Sequence, residues 1–288
     1  MDWFNAVVQG VLLGGLYALF ATGLSVMFGV MRVVNLGHGD LAVVASFMAL
    51  AMVNGTGLPL WVAIAVMAPL FAVLGYVTQR VLLRRSLRAG PMSTLVVTFG
   101  LSIILQNVLL EIFSADTRTL GGGAFATGSF RLTQDISIPY LSLATFVLAV
   151  IVIIAIQMFL SRTGLGRMLR ASSDDPDTAT LVGADSRHVY GIATAIAFGT
   201  VALAGVMMAM RSSFDPSTGP SRLLFAFEAV VIGGLGSLWG TLLGGMVLGL
   251  TQSLGSQIDP ALTILGGHIV FLAVLALRPQ GLLQGRTV

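Results

Sequence analysis

The sequence contains no cysteine and no lysine, and only 9% of its residues are charged. The absence of cysteine excludes disulfides, thiolate catalysis and cysteine-based metal sites. The absence of lysine excludes the Gly-x-x-x-x-Gly-Lys-Ser/Thr phosphate loop, so this chain does not hydrolyse a nucleotide by that route. No Gly-x-Ser-x-Gly elbow, His-Glu-x-x-His pair or cluster of histidines and carboxylates marks an enzyme.

Apolar residues dominate instead, at 56% of the 288 residues, and the mean hydropathy is +0.95. Several apolar runs of about 20 residues are long enough to cross about 30 Å of hydrocarbon as helices. We therefore expect an all-α integral membrane protein. All fifteen basic residues are arginines, and no basic stripe with interleaved aromatic residues is present. This pattern indicates contact with membrane lipid and no nucleic-acid partner.

The hydropathy pattern predicts a single membrane domain over residues 1–288 with eight or nine crossings, some of them broken at glycines. The segments are Val7–Met31, Leu41–Val53, Pro59–Leu83, Met92–Phe113, Pro139–Leu160, His188–Met210, two segments within Leu224–Ile258, and Pro260–Leu277. Arginines cluster in Arg80–Arg88, in residues 161–187 and from Arg278 onward, so these parts are expected inside. The N-terminus, a loop or hairpin at 114–137 and a connector at Arg211–Arg222 are then expected outside.

Glycines in the first segment, such as Gly10 and Gly14, have a spacing that permits close helix approach, with ligand contact as the alternative.

Glycines also flank polar residues after this segment, in Asn35-Leu36-Gly37-His38-Gly39-Asp40. We expect a broken backbone there, with Asn35, His38 and Asp40 lining a translocation pathway. The alternative is an interfacial turn in which His38 and Asp40 meet lipid headgroups.

Glu228 lies within an apolar segment, where an unpaired charge is unfavourable, so it should face protein or water. A structural ion pair, a protonated acid and a solute contact remain open for Glu228. Together with Asn35, His38 and Asp40, Glu228 completes the predicted pathway.

The break in this segment is predicted at Gly233, Gly234, Gly236 and Gly240. His268 is interpreted as a bonded interior histidine. Gln106 and Asn107 either bond between helices or contact solute.

The polar stretch at 161–187 carries helix-capping residues at its centre. Ser173, Asp174 and Asp175 are each able to cap a helix, and Pro176 suits a first helical turn. The sequence predicts a short helix near 175–182, too short to be stable unless it docks on another surface. An ordinary solvated connector is the alternative.

Four motifs occur in order along the chain: residues 35–40, residues 166–171 with Asp177 to Gly183, residues 230–240, and Arg278-Pro279-Gln280-Gly281-Leu282. Together they resemble the membrane permease of branched-chain amino acid ABC importers, the LivH type. Asp177-Thr178-Ala179-x-x-x-Gly183 also resembles the Glu-Ala-Ala-x-x-x-Gly importer signature, with Asp for Glu, Thr for Ala and no Ile-x-Leu-Pro after it.

The resemblance implies a non-catalytic permease in a bacterial inner membrane. Its expected partners are a second, LivM-like permease, two cytoplasmic ATPase subunits that hold ATP and Mg²⁺, and an extracytoplasmic solute-binding protein. The chain itself is expected to bind no cofactor or metal. The residues expected to couple to the ATPase are Gly166, Arg167, Arg170, Asp174, Asp177, Ala179 and Gly183. The substrate is expected to be an amino acid of the branched-chain type, with urea, short amides and aromatic acids left open. An ion-coupled secondary transporter with broken helices is the alternative function.

Overall fold

The computed structural model describes residues 3–131, 137–181 and 185–283. In chain order the elements are α1 (Trp3–Met31), α2 (His38–Thr56), α3 (Leu60–Thr78), a π-helical turn (Gln79–Leu83), α4 (Arg84–Ala89), α5 (Pro91–Phe113), α6 (Gly123–Thr127), β1 (Ser129–Arg131), β2 (Ser137–Pro139), α7 (Tyr140–Arg162), α8 (Gly164–Asp174), α9 (Pro176–Leu181), α10 (Ser186–Arg211), α11 (Gly219–Gly233), α12 (Leu238–Ile258) and α13 (Leu262–Leu277).

In the described part of the chain, six helices are long and apolar enough to cross a membrane: α1, α2, the continuous helix Leu60–Ala89, α5, α7 and α10. α11 and α12 pass this test only as a pair, and the chain bends by 116° between them. The predicted polytopic all-α membrane fold is confirmed, with six or seven clear spans where the sequence predicted eight or nine. The difference lies in α11 and α13, which have 15 and 16 residues and are shorter than a full crossing of about 20.

α1 is the most enclosed of the candidate spans, and it packs against α12 through glycines on both helices. A Cβ on Gly14 would lie 2.5 Å from the Cα of Met246, and one on Gly249 would lie 2.4 Å from the carbonyl oxygen of Gly10. The helix axes come this close because these residues have no side chain. The interpretation of the α1 glycines as packing positions agrees with the structure.

The helix ends form two groups. At one end, which we call the α8 end, Ser173 of α8 contacts the carbonyl oxygen of Gly29 in the last turn of α1. At the other, which we call the hairpin end, the amide of Gln9 in α1 donates to the carbonyl oxygen of Ser137 in β2 at 2.7 Å. β1 and β2 pair antiparallel, so the hairpin that the sequence left open for residues 114–137 is present; residues 132–136 lie outside the described residues.

The arginine-rich segments gather at the α8 end. Tyr76 near the end of α3 bonds to His188 in the first turn of α10, with 2.9 Å between the hydroxyl oxygen and Nδ1. The segment Arg80–Arg88 therefore lies beside the start of α10, which follows α9. The C-terminal tail also lies at this end, on the break before α12. This grouping is what the predicted topology requires, and the side of the membrane remains a prediction.

The chain re-enters the bundle between α1 and α2. α1 ends at Met31, yet Nε2 of His38, the first residue of α2, lies 2.9 Å from the carbonyl oxygen of Phe20. Phe20 is about 16 Å back along α1, at about 1.5 Å per residue. α2 therefore begins well inside the protein.

Glycines build the break between α11 and α12. α11 ends at Gly233, and Gly234 and Gly236 have φ angles of 110° and 81°, which residues with side chains rarely adopt. A Cβ on Gly233 would lie 2.0 Å from the carbonyl oxygen of Gly240, in the first turn of α12. These are the four glycines at which the sequence predicted a break.

The C-terminal tail covers this break. The backbone N–H groups of Leu282 and Leu283 donate to the carbonyl oxygens of Ile232 and Gly233, at 2.8 and 3.0 Å. These carbonyls belong to the last turn of α11 and have no partner within that helix. The tail thus completes the hydrogen bonding of a short helix that ends inside the bundle.

Candidate functional site

A buried polar cluster occupies the first turn of α2 and the middle of α5. Asp40 is 1% exposed, and its carboxylate accepts hydrogen bonds from the hydroxyl of Ser102 at 2.5 Å and from the amide of Gln106 at 3.0 Å. Gln106 also donates to the hydroxyl oxygen of Ser102 at 3.2 Å. A buried carboxylate is costly without such partners, so α5 makes the position of Asp40 possible.

Asn35 and His38 lie fully buried next to this cluster. A carbonyl oxygen only accepts, so Nε2 of His38 carries the proton that bonds to Phe20. The side-chain oxygen of Asn35 accepts from the backbone N–H of Gly37 at 3.0 Å. Within the described residues, Nδ1 of His38 and Nδ2 of Asn35 have no hydrogen-bond partner, so each side chain keeps one polar atom able to bond a further group.

Burial decides between the two interpretations of this segment. A turn at the membrane surface would expose His38 and Asp40 to headgroups, whereas both are enclosed by protein. The interfacial alternative is therefore wrong. The role of Asn35, His38 and Asp40 in a pathway stays a prediction, and the structure places the three together at a helix start inside the bundle, where polar groups lie against protein or a cavity.

The start of α11 meets the start of α2 at this cluster. A Cβ on Gly219 would lie 2.0 Å from Oδ1 of Asp40, and one on Gly39 would lie 2.0 Å from the carbonyl oxygen of Gly219. Residues 219–222 were expected in an external connector; they instead form the first turn of α11, in which Gly219 is buried while Pro220 and Ser221 are exposed. The signal for a helix start there is Pro220, since proline is favoured in a first turn.

An apolar cleft lies beside this meeting point. It is lined by Val34, Leu36, Pro220, Leu223, Leu224 and Phe227. The lining comes from the segment before α2 and from the first turns of α11. Polar and apolar surfaces thus adjoin where two helices begin.

Ser102 and Gln106 are the residues that sequence reasoning did not assign to this site. Gln106 was interpreted as an amide that bonds either between helices or to solute, and Ser102 was not singled out. Their spacing of four residues places both on one face of α5, which was the available signal. Asn107, the other amide considered, is exposed and bonds to the carbonyl oxygen of Ile103 in its own helix.

Glu228 lies in a different polar contact. It is 1% exposed in α11 and bonds through Oε1 to Nδ1 of His268 in α13. The ring of Phe225 stacks on His268 with centroids 6.3 Å apart. His268 is thus a bonded histidine, as expected. The structure brings Glu228 to α13 and not to Asn35, His38 and Asp40, so the four predicted pathway residues form two groups.

The polar stretch between α7 and α10 contains two helices, where the sequence predicted one. α8 begins after Thr163, whose hydroxyl oxygen accepts from the backbone N–H of Gly166 at 3.0 Å. A Cβ on Gly166 would lie 2.3 Å from the carbonyl oxygen of Phe159, so the tight turn from α7 requires a residue without a side chain. The buried Leu169 faces the bundle. The apolar residues Leu165, Met168 and Leu169, spaced by three and four, were the signal for this helix.

The short helix predicted near 175–182 is present as α9. The carboxylate of Asp175 accepts from the backbone N–H of Thr178 at 3.1 Å and from its hydroxyl at 2.6 Å, which is N-terminal capping. Ala179 is buried, and Leu181 is 86% exposed. Gly183 lies outside the described residues, and Asp177 is described only through its backbone in α9.

The charged residues predicted to couple to an ATPase lie on α8. Arg167 and Asp174 are exposed, and Arg170 is partly exposed. None of the three forms an ion pair among the described residues. They are therefore accessible at the α8 end, and their role stays a prediction. No group of three or more metal-ligating side chains was found among the residues that the structure describes.

These features define a class of protein: a multi-pass membrane protein with helices that begin inside the bundle and a folded polar element at one end. The family model described as "Branched-chain amino acid transport system / permease component" matches residues 6–277. This chain belongs to that family.

Individual proteins similar to this chain are named as permease proteins of branched-chain amino acid transport systems. The chain is 29% identical to the high-affinity branched-chain amino acid transport system permease protein BraD of Pseudomonas aeruginosa, over 98% of this chain and 95% of BraD. It is 27% identical to the permease protein LivH of Escherichia coli K12, over 98% and 95% of the two chains. It is 26% identical to the permease protein LivM of the same organism, over 93% of this chain and 68% of LivM.

Proposed function

We propose that this chain is the permease subunit of an ATP-driven importer of branched-chain amino acids in a bacterial inner membrane. It forms half of the translocation pathway and hydrolyses no nucleotide itself. The observation that carries this proposal is the α8–α9 element, which joins α7 to α10 and is bonded to α1, in a chain that the family model matches almost throughout. An ATPase that binds this element would contact a structure attached to three membrane helices, α1, α7 and α10.

The other half of the pathway is a second permease of the same family. Support comes from the likeness of this chain both to LivH and to LivM, which are named as permease proteins of one transport system in Escherichia coli. Two cytoplasmic ATPase subunits hold ATP and Mg²⁺ and dock on α8 and α9. An extracytoplasmic binding protein delivers the solute at the hairpin end.

Movement of the α8–α9 element reaches the polar cluster through α10. α10 is the next helix along the chain after α9, and it packs tightly on α2. A Cβ on Gly205 of α10 would lie 2.2 Å from the carbonyl oxygen of Ala42. The hydroxyl of Ser46 in α2 donates to the carbonyl oxygen of Gly205 at 2.8 Å. A shift of α10 therefore moves the start of α2, where Asp40 lies, and alternating access follows from such rigid-body movement.

The solute passes the meeting point of α2 and α11. There the polar atoms of Asn35, His38 and Asp40 lie near the apolar cleft that Phe227 helps to line. An amino acid with an aliphatic side chain presents the same combination of charged and apolar groups. This lining favours such a solute over urea, which has no apolar part. The family match favours this function over an ion-coupled secondary transporter.

Copurification and uptake together test the proposal. The chain is expressed together with a LivM-like permease, the ATPase subunits and the binding protein of the same organism, and a tag on the chain is used for purification. We expect two ATPase subunits per permease pair, and ATP-dependent uptake of labelled leucine into proteoliposomes that excess isoleucine abolishes and urea does not. Recovery of the chain without an ATPase, or leucine uptake driven by an ion gradient without ATP, would contradict the proposal.

A further inference from the structure

A cleft rich in arginine lies at the α8 end, between the end of the helix Leu60–Ala89 and the start of α10. It is lined by Gln79, Arg80, Arg84, Leu87, Arg88, Ser186, Arg187 and Tyr190. Four of these eight residues carry a guanidinium group, and the transport mechanism above assigns no role to any of them.

Among the described residues, the positive charge of the cleft is only partly offset, by the electrostatic attraction of Asp185 for Arg84. Within the part of the chain that the structure describes, no carboxylate lies within 4.0 Å of the guanidinium groups of Arg80, Arg84, Arg88 or Arg187. The neighbouring acid, Asp185, accepts from the backbone N–H of Arg187 and caps α10. Four like charges around one cleft repel each other, so an anion bound between them stabilises the arrangement.

Neighbouring contacts fix the walls of the cleft. The guanidinium carbon of Arg80 lies 5.0 Å from the centroid of the Tyr76 ring, a cation–π contact. The hydroxyl of Thr194 in α10 donates to the side-chain oxygen of Gln79 at 2.9 Å. The two walls of the cleft are therefore bonded to each other through Gln79 and Thr194, and its arginines come from both walls.

An apolar stripe runs along the same helix directly before the arginines. Val73, Val77 and Val81 are 65%, 49% and 71% exposed, and their spacing of four residues places them on one face. In a membrane this face contacts acyl chains. A molecule with an anionic head and apolar chains fits both surfaces at once, whereas free phosphate or an acidic protein surface fits only the cleft.

We propose that this cleft binds the phosphate headgroup of an anionic phospholipid, with the acyl chains lying along the stripe Val73–Val81. The guanidinium groups of Arg84 and Arg187 approach the phosphate from the two walls. The bound headgroup joins the end of the Leu60–Ala89 helix to the first turn of α10. The lipid thereby steadies the helix that the α8–α9 element moves.

Native mass spectrometry of the full-length chain in detergent tests this site. The probes are phosphatidylglycerol and phosphatidylcholine with identical acyl chains. We expect phosphatidylglycerol to bind more tightly, and Arg84→Gln and Arg187→Gln each to weaken its binding about fivefold, at roughly the worth of one arginine near a lipid surface. Arg84→Lys keeps the charge and should retain most of the affinity. Phosphatidylcholine binding should not change in any variant.

Arg162→Gln is the matched control, because Arg162 is an exposed arginine at the end of α7 that does not line the cleft. An equal loss of phosphatidylglycerol binding in this control would show that only general surface charge attracts the lipid, and it would overturn the proposal. If millimolar inorganic phosphate competes for the cleft as effectively as the lipid does, free phosphate is the ligand. That result would also overturn the proposal. Equal binding of the two lipids to the wild-type chain would show that the cleft does not select an anionic headgroup and would also overturn the proposal.

Discussion

Ser173 of α8 donates its hydroxyl proton to the carbonyl oxygen of Gly29 in α1, at 2.5 Å. This carbonyl lies among the last four of α1, which have no partner within the helix. The hydrogen bond completes the end of α1 and fastens α8 to it. The element proposed to receive the motion of the ATPase is therefore attached to the most enclosed of the candidate spans.

Removing this bond should weaken both stability and coupling. Ser173→Ala leaves the Gly29 carbonyl without its partner, which costs about 1–3 kcal/mol. We expect a lower midpoint of thermal unfolding in detergent and weaker stimulation of ATP hydrolysis by loaded binding protein. Ser161→Ala is the control, since the exposed hydroxyl of Ser161 bonds to Met158 within its own helix. Equal unfolding midpoints for the two variants would show that the bond contributes nothing.

Two neighbouring amides in α5 should differ in their effect on transport. Gln106 donates to the buried carboxylate of Asp40, whereas Asn107 is exposed and bonds within α5. We expect Gln106→Ala to reduce the rate of leucine uptake at least about tenfold, because loss of a charged hydrogen bond of about 1.5–3 kcal/mol disturbs the start of α2. Asn107→Ala should transport like the wild type. Equal uptake rates per assembled complex would remove the Asp40 cluster from the pathway.

The membrane class and the break at Gly233–Gly240 were predictable from the sequence, because hydropathy and glycine content are local properties. The start of α11 at Gly219 was not, since a Pro, Ser and Gly-rich stretch is equally typical of a loop. It becomes a helix start because Gly219 fits against Asp40 from a distant part of the chain.

The same limit applies to the predicted pathway residues. Asn35, His38 and Asp40 are close in sequence and are also close in the structure. Glu228 was grouped with them because any buried charge at membrane depth needs a partner. Its partner is His268, 40 residues further along the chain, and a pairing between two helices leaves no local pattern that sequence reasoning can detect.

Substitution by alanine should have opposite effects on stability at two glycines that lie inside helices. A Cβ on Gly244 of α12 would lie 2.0 Å from the carbonyl oxygen of Ala229 in α11, whereas one on Gly100 of α5 would meet nothing within 4 Å. We expect Gly100→Ala to be neutral or to stabilise by up to about 1 kcal/mol, the helix propensity gain. Gly244→Ala should lower the unfolding midpoint, because α11 and α12 must separate. A higher midpoint for Gly244→Ala would contradict the observed packing.

The contact between Glu228 and His268 should behave as a pair. We expect Glu228→Gln, His268→Ala and the double variant to give a coupling free energy of unfolding of about 1.5–3 kcal/mol, because the second change removes a group whose partner is already lost. Thermal or denaturant unfolding of the four proteins in one detergent measures it. Additive effects, together with loss of uptake in a stable Glu228→Gln variant, would instead favour a solute contact for Glu228.

α9 is the element on which the ATPase is proposed to dock. Leu181 is its most exposed apolar residue, at 86%, and Leu277 at the end of α13 is the matched control, at 82%. The decisive measurement is the amount of ATPase subunit that copurifies with each variant, normalised to the permease recovered from the membrane. We predict that Leu181→Arg loses most of the ATPase while Leu277→Arg keeps it, with both variants inserted at wild-type levels. Full retention of the ATPase by Leu181→Arg, with wild-type ATP-driven uptake, would contradict the account.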